Sequence, residues 1–160
     1  MKYSLYLATA GDDKHTVYSY VITNYEGIKD SGTFIAVGER RHDESYCGHI
    51  ALQRALRKVA KMEGVIQLHL NFDETLTSLA FEVIGIDPPL YPSLERTTQR
   101  VLRRFQHHEV GYGEYASEDA DEYEATTLDV AIEGLEHLRT IKGNWQLFID
   151  RFINPNKIIR

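Results

Sequence analysis

Residues 44–72, ESYCGHIALQRALRKVAKMEGVIQLHLNF, change period partway from that of a helix to that of a strand. From Glu44 to Met62 the apolar residues Ala51, Leu52, Ala55, Leu56, Val59 and Ala60 follow helical spacing, while Arg54, Arg57, Lys58 and Lys61 fill most of the remaining positions. Gly64 suits the end of that helix. From Val65 to Phe72 the period is two: Ile66, Leu68, Leu70 and Phe72 point one way, Gln67, His69 and Asn71 the other. A connection of this length allows the strand to lie parallel to one that precedes the helix.

Upstream, residues 3–9 alternate, with Tyr3, Leu5 and Leu7 on one face, and Gly11-Asp12-Asp13-Lys14 supplies a turn. Val17 to Asn24 reads as a second strand. A loop from Tyr25 through Gly32 leads to a third, Thr33 to Val37, and the short connections make the three an antiparallel meander. Downstream, the spacing predicts a short helix over Thr75–Ile84, a bend at Pro88, Pro89 and Pro92, and a helix from Leu94 to Gln106 capped by Ser93. A fifth strand over Val110–Ala116 and a helix from Leu128 to Ile141 follow. The tail, with Trp145, Leu147, Phe148, Phe152 and Ile153, is expected to dock as another helix, since its aromatic residues are costly to expose. The domain reading is one unit over residues 1–142 with an extension, 143–160, docked upon it.

The composition suits a packed core: 160 residues, 42% apolar and 26% charged, with ten Tyr, six Phe and one Trp. Eighteen Lys and Arg against twenty-four Asp and Glu leave a net charge of −6, which argues against general affinity for polyphosphate but not against a local basic face. A single cysteine, Cys47, rules out an internal disulfide framework and suggests a reducing compartment. No run reaches the roughly eighteen apolar residues of a membrane span, and the opening residues are too short and polar for a signal peptide. The expected location is cytoplasmic.

Motif chemistry is sparse. There is no phosphate-binding G-x-x-x-x-G-K-[ST] loop, and the seven histidines show no zinc-type spacing. His69 reads as an ordinary strand histidine and Cys47 as a small buried hydrophobe. Thr126-Thr127-Leu128-Asp129 fits a helix-capping pattern. The run Glu118–Glu124 reads as a solvated acidic loop, or, more sharply, as a phosphate mimic for a basic partner. Two cationic helix faces stand out: Arg54, Arg57, Lys58 and Lys61, and Arg96, Arg100, Arg103 and Arg104. Each is an ordinary solvated face or, if turned to one groove, a nucleic-acid backbone site.

Three strands, a long helix, a fourth strand, then helix, strand and helix is an order that resembles the ribonuclease H-like fold. Val17–Ile22 resembles that family's second strand, Gly32–Ala36 its third, His49–Leu56 its first helix and Thr127–Ala131 the start of its last. The resemblance covers residues 3–140 and implies an α/β fold with a mixed five-stranded sheet flanked by helices. It also implies carboxylates from the first strand, first helix, fourth strand and last helix, holding two divalent cations about 4 Å apart that activate water against a phosphodiester. Carried over position by position, those acids become Thr9, Gly48, Asn71 and Asp129, so only Asp129 is matched.

The expectation is therefore a ribonuclease H-like domain that has lost its metal site, with no catalytic residue and no cofactor, acting by binding nucleic acid through Arg54, Arg57, Lys58 and Lys61 or by binding a protein partner. The first alternative is a nuclease dependent on Mg²⁺ or Mn²⁺ that uses Asp12, Glu44, Asp73 and Asp129 through a shifted register. The second is an acidic interaction or inhibitor protein docking through residues 114–124.

Overall fold

Tyr3, Leu5 and Leu7 alternate onto one face of β1 (Lys2–Gly11), as their period requires. The computed structural model describes residues 1–62, 64–72, 75, 78, 79 and 88–160. β2 (Thr16–Asn24) and β3 (Gly27–Ala36) complete an antiparallel meander. β3 begins six residues earlier than Thr33. A tight turn at Tyr25 and Glu26, where the Asn24 side chain accepts the Glu26 N–H at 2.8 Å and Gly27 takes φ 117°, replaces the expected loop.

α1 (Glu44–Ala60) starts at Asp43, whose carboxylate accepts the Tyr46 N–H. It crosses to β4 (Val65–Leu70), which pairs parallel with β1, Leu5 opposite Leu68 and Leu7 opposite Leu70. After α2 (Pro92–Leu102), β5 (His108–Tyr112) pairs parallel with β4. α2 begins at Pro92, with proline in the first turn where its missing N–H costs nothing, so Ser93 is not its cap. Of the helix expected over Thr75–Ile84, only Thr75, Ser78 and Leu79 lie among the described residues.

α3 (Glu122–Leu138) starts six residues before Leu128, because the acidic run is not wholly a loop. Asp121 caps the helix by accepting the Glu124 N–H at 2.8 Å, and acids in the first turn complement the helix dipole. α4 (Ile141–Ile153) follows, capped by Thr140, and a single 3₁₀ turn leads to β6 (Ile158–Ile159). β6 pairs parallel with the end of β3, so the sheet has six strands rather than five, in the order β5-β4-β1-β2-β3-β6. The sixth strand is the correction to the expected α/β architecture.

Helices cover both faces of the sheet. On one, α1 and α2 pack on Leu5, Leu7, Tyr18, Ile22, Leu68 and Leu70. On the other, α3 and α4 cover Val17, Val37 and Ile158 through Leu135, Leu138 and Leu147, and a smaller cluster joins Tyr6, Ala8, Val21 and Tyr115. In α4 only part of the expected apolar face is used: Leu147 is buried, whereas Trp145, Phe148 and Phe152 remain exposed. No described helix is long and apolar enough to cross a membrane.

Candidate functional site

Two of the carried-over positions, Thr9 on β1 and Gly48 on α1, flank the centre of the sheet beneath the start of α1. Thr9 stands on β1 directly opposite Tyr18 on β2. Tyr18 is buried with the α1 side of the core. Burial first, then the nearby Cys47, Glu44 and Asp43, pushes its pKa far above the ordinary phenol value, so it stays neutral. Phe72 lies two residues past the end of β4, fully buried, its ring edge-on to Tyr18 with centroids 5.5 Å apart. Gly48 completes the contact from α1: a Cβ there would lie 2.6 Å from Thr75 Oγ1 and 3.6 Å from the Phe72 ring. The floor of the site is thus two aromatic rings, a hydroxyl and a glycine with no room for a side chain.

Strand alternation divides the carried-over set. Thr9 shares the α1 face with Leu5 and Leu7, whereas Asn71, in step with His69, points to the α3 face. There the His69 imidazole stacks on Tyr6, ring centroids 4.1 Å apart, and the Tyr115 hydroxyl donates to the His69 carbonyl. Burial lowers the His69 pKa, keeping the ring neutral, while burial and then Asp121 and Glu124 push Tyr6 up to about 12. On Thr9's face the residue that follows β4 is Phe72, which shares the parity of Leu68 and Leu70.

Of the acids of the shifted-register alternative, Asp12, Glu44 and Asp129 lie among the described residues. Asp12 folds back on its own turn, its Oδ1 accepting the Lys14 and His15 N–H groups at 2.9 Å each and its Oδ2 the Arg139 Nε at 3.3 Å. The His15 and Lys14 amides, with Arg139, hold its carboxyl down at about 2. Glu44 opens α1, where it complements the helix dipole. Asp129 is exposed in the body of α3, past a cap already supplied by Asp121, so Thr126 and Asp129 form no capping box. The neighbouring Thr127 donates to the Tyr123 carbonyl, and its own carbonyl accepts from Ser19 Oγ at 2.6 Å. Asp73 lies outside the described residues. Among those described, no three His, Cys, Asp or Glu side chains gather as they must around a cation. Among the described residues, Thr9, Gly48 and Phe72 offer a threonine hydroxyl, a glycine and a phenyl ring, not the concentrated oxygen ligands that a pair of hard cations needs.

The cationic face of α1 is partly committed to the fold. Arg54 Nη1 donates to the carbonyls of Asn156 and Ile158 at 2.8 and 2.7 Å, which fastens the tail. Lys58 leans over the Tyr20 ring at 5.6 Å, a cation–π contact. Arg57 and Lys61 are exposed.

No family model matches the chain, and no curated protein matches it either. Solved structures do. RNase H1 from the halophilic archaeon Halobacterium salinarum NRC-1 superposes with a TM-score of 0.60 at 14% identity, over 83% of this chain and 98% of that one. LC11-RNase H1 in complex with an RNA/DNA hybrid gives 0.63 at 11% identity, over 86% and 99%. The N-terminal RNase H domain of a Mycobacterium tuberculosis protein gives 0.63 at 9% identity, over 87% and 99%. The chain has a ribonuclease H-like fold.

Proposed function

We propose that this chain is a ribonuclease H-like domain without nuclease chemistry that acts by binding, with a nucleic-acid strand or duplex as its ligand. The observation that carries the reading is the aromatic floor: Phe72 and Tyr18 pack together beneath Gly48, and their apolar contact supports a site without an anionic ligand there. A carboxylate in that apolar contact would have to shed its hydration without a partner, which costs several kcal/mol. Exposed Arg57 and Lys61 on α1 support a backbone-binding role, as does the similarity of fold to an RNase H1 that has been solved with a hybrid. The acidic-interaction reading has less support, because Asp121, Glu122 and Glu124 already serve the start of α3.

Incubation with a labelled RNA/DNA hybrid and Mg²⁺ or Mn²⁺ tests it. The expected result is retention of the hybrid in a salt-sensitive complex with no cleavage. Cleavage that disappears in Asp73→Asn and Asp129→Asn overturns it in favour of the metal-dependent nuclease.

A further inference from the structure

The tail that Arg54 fastens also builds a surface that the cationic pattern of α1 did not foretell. Two adjoining hollows, of about 550 and 490 Å³, open beside the 3₁₀ turn and share Arg151 and Arg160 as walls. Arg40 completes the first together with Glu39, and Arg54 and Tyr46 line the second. Four arginines from three separated parts of the sequence thus line one groove, with Glu39 as the one acidic side chain among the lining residues, in a chain whose net charge is −6. Among the described residues none of the four has an acidic partner within ion-pair distance.

Like charges gathered without counter-charge repel one another, so the arrangement is relieved by an anion that neutralises several at once. Two of the groups are held in place beforehand. The Arg54 fork is fixed by the Asn156 and Ile158 carbonyls, and the Arg40 guanidinium lies 4.5 Å above the Tyr46 ring. Planar forks held in this way match phosphate oxygens, and holding them lowers the ordering cost of binding. The groove is also open-ended. From Arg54 the exposed Arg57 and Lys61 continue along the same face of α1, some 10 Å at the rise of a helix. A linear track of cations suits a strand of repeating phosphates better than a compact ligand.

We infer that the groove between the α1 face and the C-terminal tail, walled by Arg40, Arg54, Arg151 and Arg160, binds the phosphodiester backbone of a nucleic-acid strand. The inference rests on the nucleic-acid reading above and adds to it the tail side of the surface, with Arg151 and Arg160 as the groups that join its two hollows.

The test is anisotropy of a fluorescein-labelled single-stranded oligonucleotide, titrated with the full chain between about 50 and 200 mM salt. Arg151→Glu with Arg160→Glu weakens binding at least about tenfold at the low-salt end and lowers the log–log salt slope by about 1.4, the loss of two phosphate contacts on a single strand. Both residues are exposed, and Arg151→Gln with Arg160→Gln gives the same direction with a smaller loss of affinity should the reversed charges disturb folding. Binding by the parent chain with affinity and slope unchanged in both pairs overturns the groove and leaves binding elsewhere on the domain. An absence of binding by the parent chain at low salt overturns the groove as a strand site, and a failure to retain the RNA/DNA hybrid as well overturns the nucleic-acid reading itself.

Discussion

Phe72 meets Tyr18 edge to face, ring planes at 87° and centroids 5.5 Å apart, across the strand that separates β4 from β2. The geometry sets the positive edge of one ring against the negative face of the other, and such pairs contribute beyond their buried area. Two consequences follow for stability: the floor of the sheet is a packing site, and packing sites respond to volume.

Phe72→Ala is expected to cost about 3–5 kcal/mol, the range for removing a fully buried aromatic ring. Urea unfolding followed by far-ultraviolet circular dichroism reads the loss as a lower midpoint at unchanged slope. Phe72→Asp, which places a carboxylate on the face of Thr9, is expected to be at least as damaging, because the charge is buried without a partner.

Gly48→Ala places a methyl group against Thr75 Oγ1, at a separation that real Cβ atoms do not adopt. Overpacking of this kind costs about 1–3 kcal/mol. Thr75→Ala removes the obstructing hydroxyl, so the double variant recovers part of the loss. A cycle of four urea curves measures that coupling, and strict additivity would show that the glycine is not held by this contact.

Acid should destabilise the fold through His49. Its Nδ1 lies 2.9 Å from Thr98 Oγ1 in the seam between α1 and α2, where Gln53 also bonds to Thr98 and to the Leu94 carbonyl. Burial lowers its pKa from 6.5 to about 4. The unfolded chain therefore takes up a proton that the folded chain refuses. The stability is present above about pH 6.5 and is lost as pH falls towards about 4, at roughly 1.4 kcal/mol per unit and about 3 kcal/mol in all. His15 and His69, also lowered by burial, act in the same direction. Unfolding free energies at about pH 7 and about pH 5 are expected to differ less in His49→Gln than in the parent.

Cys47 is expected to resist alkylation in the folded state. The thiol is buried, donates to the Arg40 carbonyl at 3.0 Å and is pushed up to about 12 by burial and then by Asp43. Since the thiolate is the reactive form, iodoacetamide near pH 8 should add mass to the chain only after denaturant is present.

The parts of the fold that were legible in the sequence are those whose period is long and regular. The meander, the helix over Ala51–Ala60 and the strand over Val65–Leu70 each repeat an apolar step often enough to declare both element and face. The start of α3 was hidden because Glu118–Glu124 contains little that is apolar; its helix begins on the capping chemistry of Asp121 instead. β6 is two residues long and exists through its pairing with Ile35 and Ala36, which no local pattern encodes. At the site, Thr9 falls in β1 and Gly48 in α1 as their periods indicate, while Asn71 and Phe72 both follow the end of β4, where strand parity no longer fixes a register. Arg40, Arg151 and Arg160 are far apart in sequence, so their shared groove is a product of the tertiary fold alone.

The tail has one more effect, on the company the molecule keeps. A sheet that ends in an open rim of amides and carbonyls invites a foreign strand to lengthen it. Here the most apolar stretch of that rim, at Ile35 and Ala36, is already taken by Ile158 and Ile159, and the rest carries Lys29 and Asp30. A short hem of the chain's own backbone thereby occupies that stretch in place of a foreign strand, while the neighbouring groove stays open to solvent.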